Sequence, residues 1–266
     1  MNEDILSQIE ANMRAVGRQE RLVVARPYFH LFISPQALDH LTFATPLPGE
    51  PADWREAVAD MVAVFAQHGK RPRLEFIADL HPHLPAALEQ AGLVCESRAP
   101  VMVWQASGLA PAPNPQPQMH YRRLTAENET LLKAHLIQQS IAFGGTGEDE
   151  DALGWLPNLQ RGLADGLVMG AVLEQATLLK QGGELLSGAV IQMGEGPGEL
   201  AGVWTAPQWR SRGLAFALCR QLLAEYTALG HTTCWLSAAE GAQRLYEKLG
   251  FVCVGTQLNY GGTLPR

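Results

Sequence analysis

The run Thr205-Ala-Pro-Gln-Trp-Arg-Ser-Arg-Gly-Leu-Ala215 carries the clearest chemistry in this sequence. It lies between a strand-like segment and an amphipathic one. Pro207 ends the strand, because it has no N–H to give to a ladder. Gly213 and Ala215 put small residues where the chain turns into a helix. The first N–H groups of a helix lack intrahelical partners, and the helix dipole is positive there, so both favour a phosphate. Arg210 and Arg212 add positive charge to an otherwise acidic chain. Other constellations say less. His81-x-His83 has no Cys or acidic partner at metal-ligand spacing and reads as a surface turn beside Pro82 and Pro85. Gly144-Gly145-x-Gly147 has neither a preceding strand nor a Lys, and reads as a loop. Glu148-Asp-Glu-Asp151 either opens a helix with favourable negative charge or draws in a cationic amine. No metal centre is expected.

The elements around these residues follow from periodicity. Glu199–Thr205 reads as the strand leading into the Arg-rich turn. Gly213–Leu229 puts Leu214, Leu218, Leu222, Tyr226 and Leu229 on one helical face, with Gly230 as its stop. Thr232–Ser237 is a strand, Ala242–Leu249 a helix stopped by Gly250, and Phe251–Leu258 a closing strand. Upstream, His120–Leu124 is a strand and Thr125–Gln139 a helix. Ala152–Leu163 is a second helix, interrupted by Pro157. Gly166–Leu179 and Glu184–Met193 form a hairpin of strands. Hairpins pair antiparallel and strand–helix–strand units pair parallel. The expected fold is therefore α/β (α+β), a mixed and mostly antiparallel sheet flanked by helices.

Four alternating prolines in Ala106–Met119 mark a linker, which divides the chain into residues 1–105, 106–119 and 120–266. The first part repeats the second in outline. Leu88-Glu-Gln-Ala-Gly-Leu-Val-Cys95 aligns with Tyr246-Glu-Lys-Leu-Gly-Phe-Val-Cys253, each after a helix and an apolar strand. In the first part the helix is Trp54–Gln67 and the strand Leu74–Ala78. Phe43-Ala-Thr-Pro46 echoes Trp204-Thr-Ala-Pro207.

Composition limits the function. The chain has 266 residues, 20 Lys and Arg against 27 Asp and Glu, and a net charge of −7. Residues 1–119 hold 9 basic and 13 acidic side chains, the rest 11 and 14, so neither part offers the basic surface nucleic acid needs. The first residues lack the basic start and apolar centre of a secretory signal, and no apolar run is long enough for a bilayer. Cys95, Cys219, Cys234 and Cys253 show no CxxC spacing. The expectation is a reduced, cytoplasmic protein with no membrane partner.

The segment Val203–Ala215 resembles the pyrophosphate motif R/Q-x-x-G-x-G/A of the GNAT superfamily of N-acetyltransferases. Pro207, Trp209, Arg210, Arg212, Gly213, Leu214 and Ala215 match its extended form, with Val203 one residue early and Ser211 where Gly is common. Leu245-Tyr-Glu-Lys-Leu-Gly-Phe251 resembles the family's second motif. By itself Tyr246 reads as a core aromatic. The resemblance instead implies a Tyr246 hydroxyl beside the coenzyme A sulfur, ready to protonate the departing thiolate. It also implies main-chain pairing of Val203 and Thr205 with pantetheine, and pyrophosphate held by Arg210, Ser211, Arg212, Gly213, Leu214 and Ala215. An acidic residue on the preceding strand, here Glu199, would take the proton of the acceptor amine, with Glu174 as a second choice. An Asn common seven residues before the Tyr is Ala239 here. The implied cosubstrate is acetyl-coenzyme A. The implied acceptor is a small-molecule amine, a protein N-terminus or a lysine. A module that binds acyl-coenzyme A without transfer is the alternative. The first part has Leu88 in place of the Tyr and Pro48-Gly-Glu-Pro-Ala-Asp53 in place of the phosphate motif, so it is expected to be a degenerate, non-catalytic GNAT-like domain.

Overall fold

The computed structural model describes residues 2–19, 21–35, 41–106, 119–146, 150–175 and 184–263. Most of the proline-rich segment 106–119, Gly147 and the side chains of Glu148–Asp151 lie outside the described residues. In chain order the elements are α1 (Asn2–Arg18), β1 (Leu22–Ala25), β2 (Phe29–Ile33), β3 (Phe43–Pro46), α2 (Trp54–Gln67), β4 (Arg73–Ile77), α3 (Leu84–Gln90) and β5 (Val94–Gln105). Then come β6 (Met119–Arg123), α4 (Glu129–Ala142), α5 (Glu150–Gly154), α6 (Leu156–Ala164), β7 (Val168–Gln175), β8 (Glu184–Gln192) and β9 (Gly198–Thr205). The chain closes with α7 (Leu214–Ala228), β10 (Thr233–Ser237), α8 (Gln243–Leu249) and β11 (Val252–Gly261). No helix among the described residues is long and apolar enough to cross a membrane. All four cysteines are free.

The chain folds into two compact units. One comprises Met1–Met102, Ser237–Gly241 and Cys253–Arg266, the other Val103–Leu236 and Ala242–Val252. The first unit holds strands in the order β1-β2-β3-β4-β11-β5. β1, β2 and β3 pair antiparallel, β3 lies parallel to β4, and β4 pairs antiparallel with β11 from Gln257↔Ile77 to Gly261↔Arg73. The last strand of the chain thus completes the sheet of its first part. No local pattern could announce this, because the partners are about 180 residues apart and hydrophobic alternation does not name a neighbour. Phe29, Leu31, Val58, Met61, Phe65, Leu74 and Phe76 form the core of this unit, under α2 and α3.

The second unit has the order β10-β9-β8-β7-β6, antiparallel from β6 to β9 and parallel between β9 and β10. The mixed, mostly antiparallel sheet flanked by helices is the fold expected. Leu131 and Leu132 of α4, Leu156 of α6, Val172, Leu185, Val190 and Trp204 make the core on one face. α7 packs against β7, β8 and β9. The order strand, helix, strand, helix, strand occurs as β3-α2-β4-α3-β5 and again as β9-α7-β10-α8-β11.

Three expectations need correction. α4 begins at Glu129 rather than Thr125, because the Asn128 carboxamide oxygen accepts from Leu131 N at 3.1 Å and caps the helix there. The chain opens on a helix, α1, that is absent from the expected elements, although Leu6, Ile9 and Met13 are buried along one side of it. His81 is no surface residue: it is 2% exposed, and its Nε2 lies 3.0 Å from Glu10 Oε1. Arg14 Nη1 completes that buried group, donating at 3.0 Å both to Glu10 Oε2 and to the Pro46 carbonyl.

Candidate functional site

Strands β9 and β10 stay together over two residue pairs only, Cys234↔Gly198 and Trp235↔Glu199. From Leu200 to Thr205, β9 has no β10 residue opposite. Two local features set this geometry. At the closed end, the Tyr226 hydroxyl accepts from Gly198 N at 2.9 Å and donates to Thr233 O at 3.0 Å, tying the two strands to α7. Burial pushes that phenol up to about 12, so it stays a donor. At the open end, Gly188 faces Trp204 while Val190 faces Ala201. One residue of β8 therefore opposes two of β9, Gly202 and Val203, which is a β-bulge. Gly202 sits at φ +57, where glycine costs least.

The bulge leaves Val203 and Thr205 on the stretch of β9 that lacks a β10 partner. Thr205 is fixed from below: Ser187 Oγ lies 2.6 Å from Trp204 O and 3.1 Å from Thr205 Oγ1. A 3₁₀ turn, Pro207–Trp209, then leads into Arg210-Ser-Arg-Gly213. Ser211 at φ 62 is the single non-glycine residue with positive φ among those described, and Gly213 follows at φ 76 as the N-cap of α7. A Cβ on Gly213 would meet nothing within 4 Å, so it is the backbone angle that calls for glycine. No side chain caps α7. Its leading N–H groups are therefore left for another acceptor. The start of α2 in the first unit differs: Asp53 Oδ1 accepts from Arg55 N at 2.8 Å and caps the helix.

The two arginines divide their work in a way the sequence does not disclose. Arg210 Nε donates to Thr205 O at 3.3 Å and Nη2 to Ala142 O at 3.1 Å, so its charge is spent on pinning the turn to β9 and α4. The Arg212 guanidinium rests 4.6 Å from the centre of the Trp209 ring. That ring is steadied in turn by a 3.0 Å bond from Trp209 Nε1 to Glu184 Oε1.

Tyr246 is 8% exposed, on α8, which packs against α7. Its ring meets Phe251 edge-on at 5.9 Å. Its hydroxyl makes no hydrogen bond to any described residue, and burial, helped by Cys219 of α7, raises its pKa well above the usual phenol value. Glu199 lies opposite Gln192 on one side and Trp235 on the other. Glu174 is tied to Arg122 Nη1 at 3.1 Å. Sequence reasoning passes over His135 as a polar group of the site. It is buried on α4, its Nδ1 accepts from Trp204 Nε1 at 3.2 Å, and burial lowers its pKa to about 4. It also passes over Gly202, although an isolated glycine within a strand pattern is a sign of a bulge.

A splayed parallel pair, a bulge and an uncapped helix N-terminus thus lie together in one mixed sheet. Residues 147–251 match the model of the Acetyltransferase (GNAT) family. The match assigns this segment of the chain to that family. No curated protein matches the chain. Among solved structures it is similar to a GCN5-related N-acetyltransferase from Kribbella flavida, at TM-score 0.76 and 18% identity over 97% of this chain and 95% of that one. A GCN5-related N-acetyltransferase from Sphaerobacter thermophilus matches at 0.62 and 16%, over 100% and 94%. A tandem GNAT protein from the clavulanic acid biosynthesis pathway matches at 0.62 and 10%, over 99% and 96%. At such identities the likeness is one of fold.

Proposed function

We propose that this protein transfers an acyl group, acetyl before others, from acyl-coenzyme A to a primary amine by direct attack in a ternary complex. The observation that carries this reading is the parting of β9 from β10 after Glu199, with the uncapped N-terminus of α7 at the far end of the open stretch. Pantetheine would complete the open stretch as a further strand, pairing with main-chain groups of Val203 and Thr205. Thr205 shares its carbonyl with Arg210. The pyrophosphate would sit on the N–H groups of Arg210–Ala215, with Arg212 as the mobile cation.

Protons move at nitrogen, sulfur and the phenol. The ammonium form of the acceptor loses a proton to Glu199, directly or through water, and the freed lone pair attacks the thioester carbon. The C–S bond breaks as the tetrahedral adduct collapses, Tyr246 gives its proton to the leaving sulfur, and the second proton of the attacking nitrogen passes through water to the tyrosinate, leaving a neutral amide and a thiol. Burial raises the phenol, so Tyr246 holds its proton until the thiolate forms. Holding both reactants in one cleft supplies much of the rate.

Residues 106–119 would join this catalytic part to a non-catalytic N-terminal part, in which Asp53 fills the anion position and Leu88 replaces the tyrosine. The acceptor is a small-molecule amine, a protein N-terminus or a lysine. Thiol release from acetyl-coenzyme A with spermidine, L-lysine and a free-amine peptide tests the reading. Amine-dependent release that falls about tenfold or more in Tyr246→Phe supports it. Acetyl-coenzyme A binding without release by any amine would favour a binding module instead.

A further inference from the structure

The face of α4 turned toward β9 carries two polar side chains among its apolar ones. His135 and Gln139 stand one turn apart on it, and Ala142 follows. His135 is tied to Trp204 of β9, and Ala142 receives Arg210 from the phosphate turn. Gln139 lies over the bulge itself: a Cβ on Gly202 would stand 2.8 Å from its Nε2, 3.4 Å from its Cδ and 3.6 Å from its Oε1. The half-buried carboxamide therefore rests on bare backbone, at the point where β9 begins to run without a β10 partner. It makes no hydrogen bond to any described residue, and its amide atoms stay open to solvent and to an incoming ligand.

The sheet register brings the candidate base to the same face. Val190 and Ala201 are opposed and pack in the cluster with Leu131 and Leu132 of α4. Two residues further along each strand, Gln192 and Glu199 are opposed, and side chains two apart share a face. One face thus holds Glu199 and Gln139, with the unpaired edge of β9 beside them. α7 packs on the other face.

We propose that Gln139 is the acceptor-contacting residue of this site: its carboxamide oxygen accepts an N–H of the incoming primary amine and aims the nitrogen lone pair at the thioester carbon, with Glu199 taking the departing proton. Gly202 suits the bulge through its φ of +57, and a side chain there would press on the end of the carboxamide. This inference rests on the acyl-transfer reading above. It concerns the acceptor alone, so cofactor affinity should be untouched.

The test compares wild type with Gln139→Leu, which keeps the volume, and Gln139→Glu, which keeps an oxygen acceptor. Each is assayed by thiol release with the best amine of the three probes, and by calorimetric titration of acetyl-coenzyme A. Gln139→Leu should lower kcat/KM for the amine about tenfold, mainly through KM, as loss of one hydrogen bond implies. Gln139→Glu should recover most of that loss. Acetyl-coenzyme A affinity should stay within about threefold in both. Unchanged amine kinetics in Gln139→Leu, or a matching loss of acetyl-coenzyme A affinity, would overturn the assignment while leaving acyl transfer intact. Wild type that binds acetyl-coenzyme A and releases no thiol would instead overturn the acyl-transfer reading, and this one with it.

Discussion

Arg210 and Arg212 are two positions apart, and the structure gives them different contacts. Arg210 is held by carbonyls of β9 and α4, so Arg210→Ala should loosen the turn and cost about 1 kcal/mol of stability in denaturant unfolding. Among the described residues, Arg212 rests on the Trp209 ring alone. Arg212→Ala should leave stability within about 0.5 kcal/mol and raise KM for acetyl-coenzyme A about tenfold, the weight of one charge-assisted contact to phosphate. Equal effects of the two substitutions on KM would refute the division. Ser211 occupies a left-handed conformation that costs an L-residue about 1–2 kcal/mol. Ser211→Gly relieves that cost but loosens the unfolded chain by about 0.5–1 kcal/mol. The net expectation is a gain of up to about 1 kcal/mol in urea unfolding. The motif is legible in the sequence because helix starts, prolines and glycines act locally. The duties of its arginines are not, because Ala142 lies 68 residues from Arg210.

Among the elements, α7 and α4 hold the cleft open from opposite faces of the sheet. Tyr226 of α7 pairs a donor on β9 with an acceptor on β10, so Tyr226→Phe would strand both. Its unfolding free energy should drop by about 2 kcal/mol, as expected for buried backbone groups left unpaired. α4 depends on a neutral His135. Burial lowers its pKa to about 4, below the unfolded value of 6.5, so the unfolded chain binds the proton more readily. The contribution is fully present above pH 6.5 and is lost as pH falls through 4. At most it amounts to about 3 kcal/mol, from the size of the shift. His135→Gln can still accept from Trp204 Nε1, and the difference in stability between wild type and variant should shift against wild type from pH 7 to 4. Parallel curves would show that His135 does not titrate this way. The element order from β6 to β11 follows from periodicity and stop residues. The start of α4 does not, because Asn128 caps it from within a helical-looking run.

At the scale of the whole molecule, the closing strand belongs with the unit built from the first part of the chain. β11 follows Tyr246 and the Arg-rich turn in sequence yet pairs with β4, and His81 meets Glu10 across 71 positions. Patterning shows which residues are buried but not which distant residue they meet, so both are invisible in the sequence. What is legible is the contrast between the halves. One carries a glycine N-cap and a tyrosine, the other an aspartate N-cap and a leucine. The most direct test of the account is calorimetric titration of acetyl-coenzyme A into wild type and Gly213→Val, with circular dichroism to confirm folding. The account predicts one molecule bound per chain, with affinity at least about tenfold weaker in the variant, because valine cannot hold φ 76 and would turn the N–H groups of α7 aside. Two molecules per chain, or equal affinity in the two proteins, would contradict it.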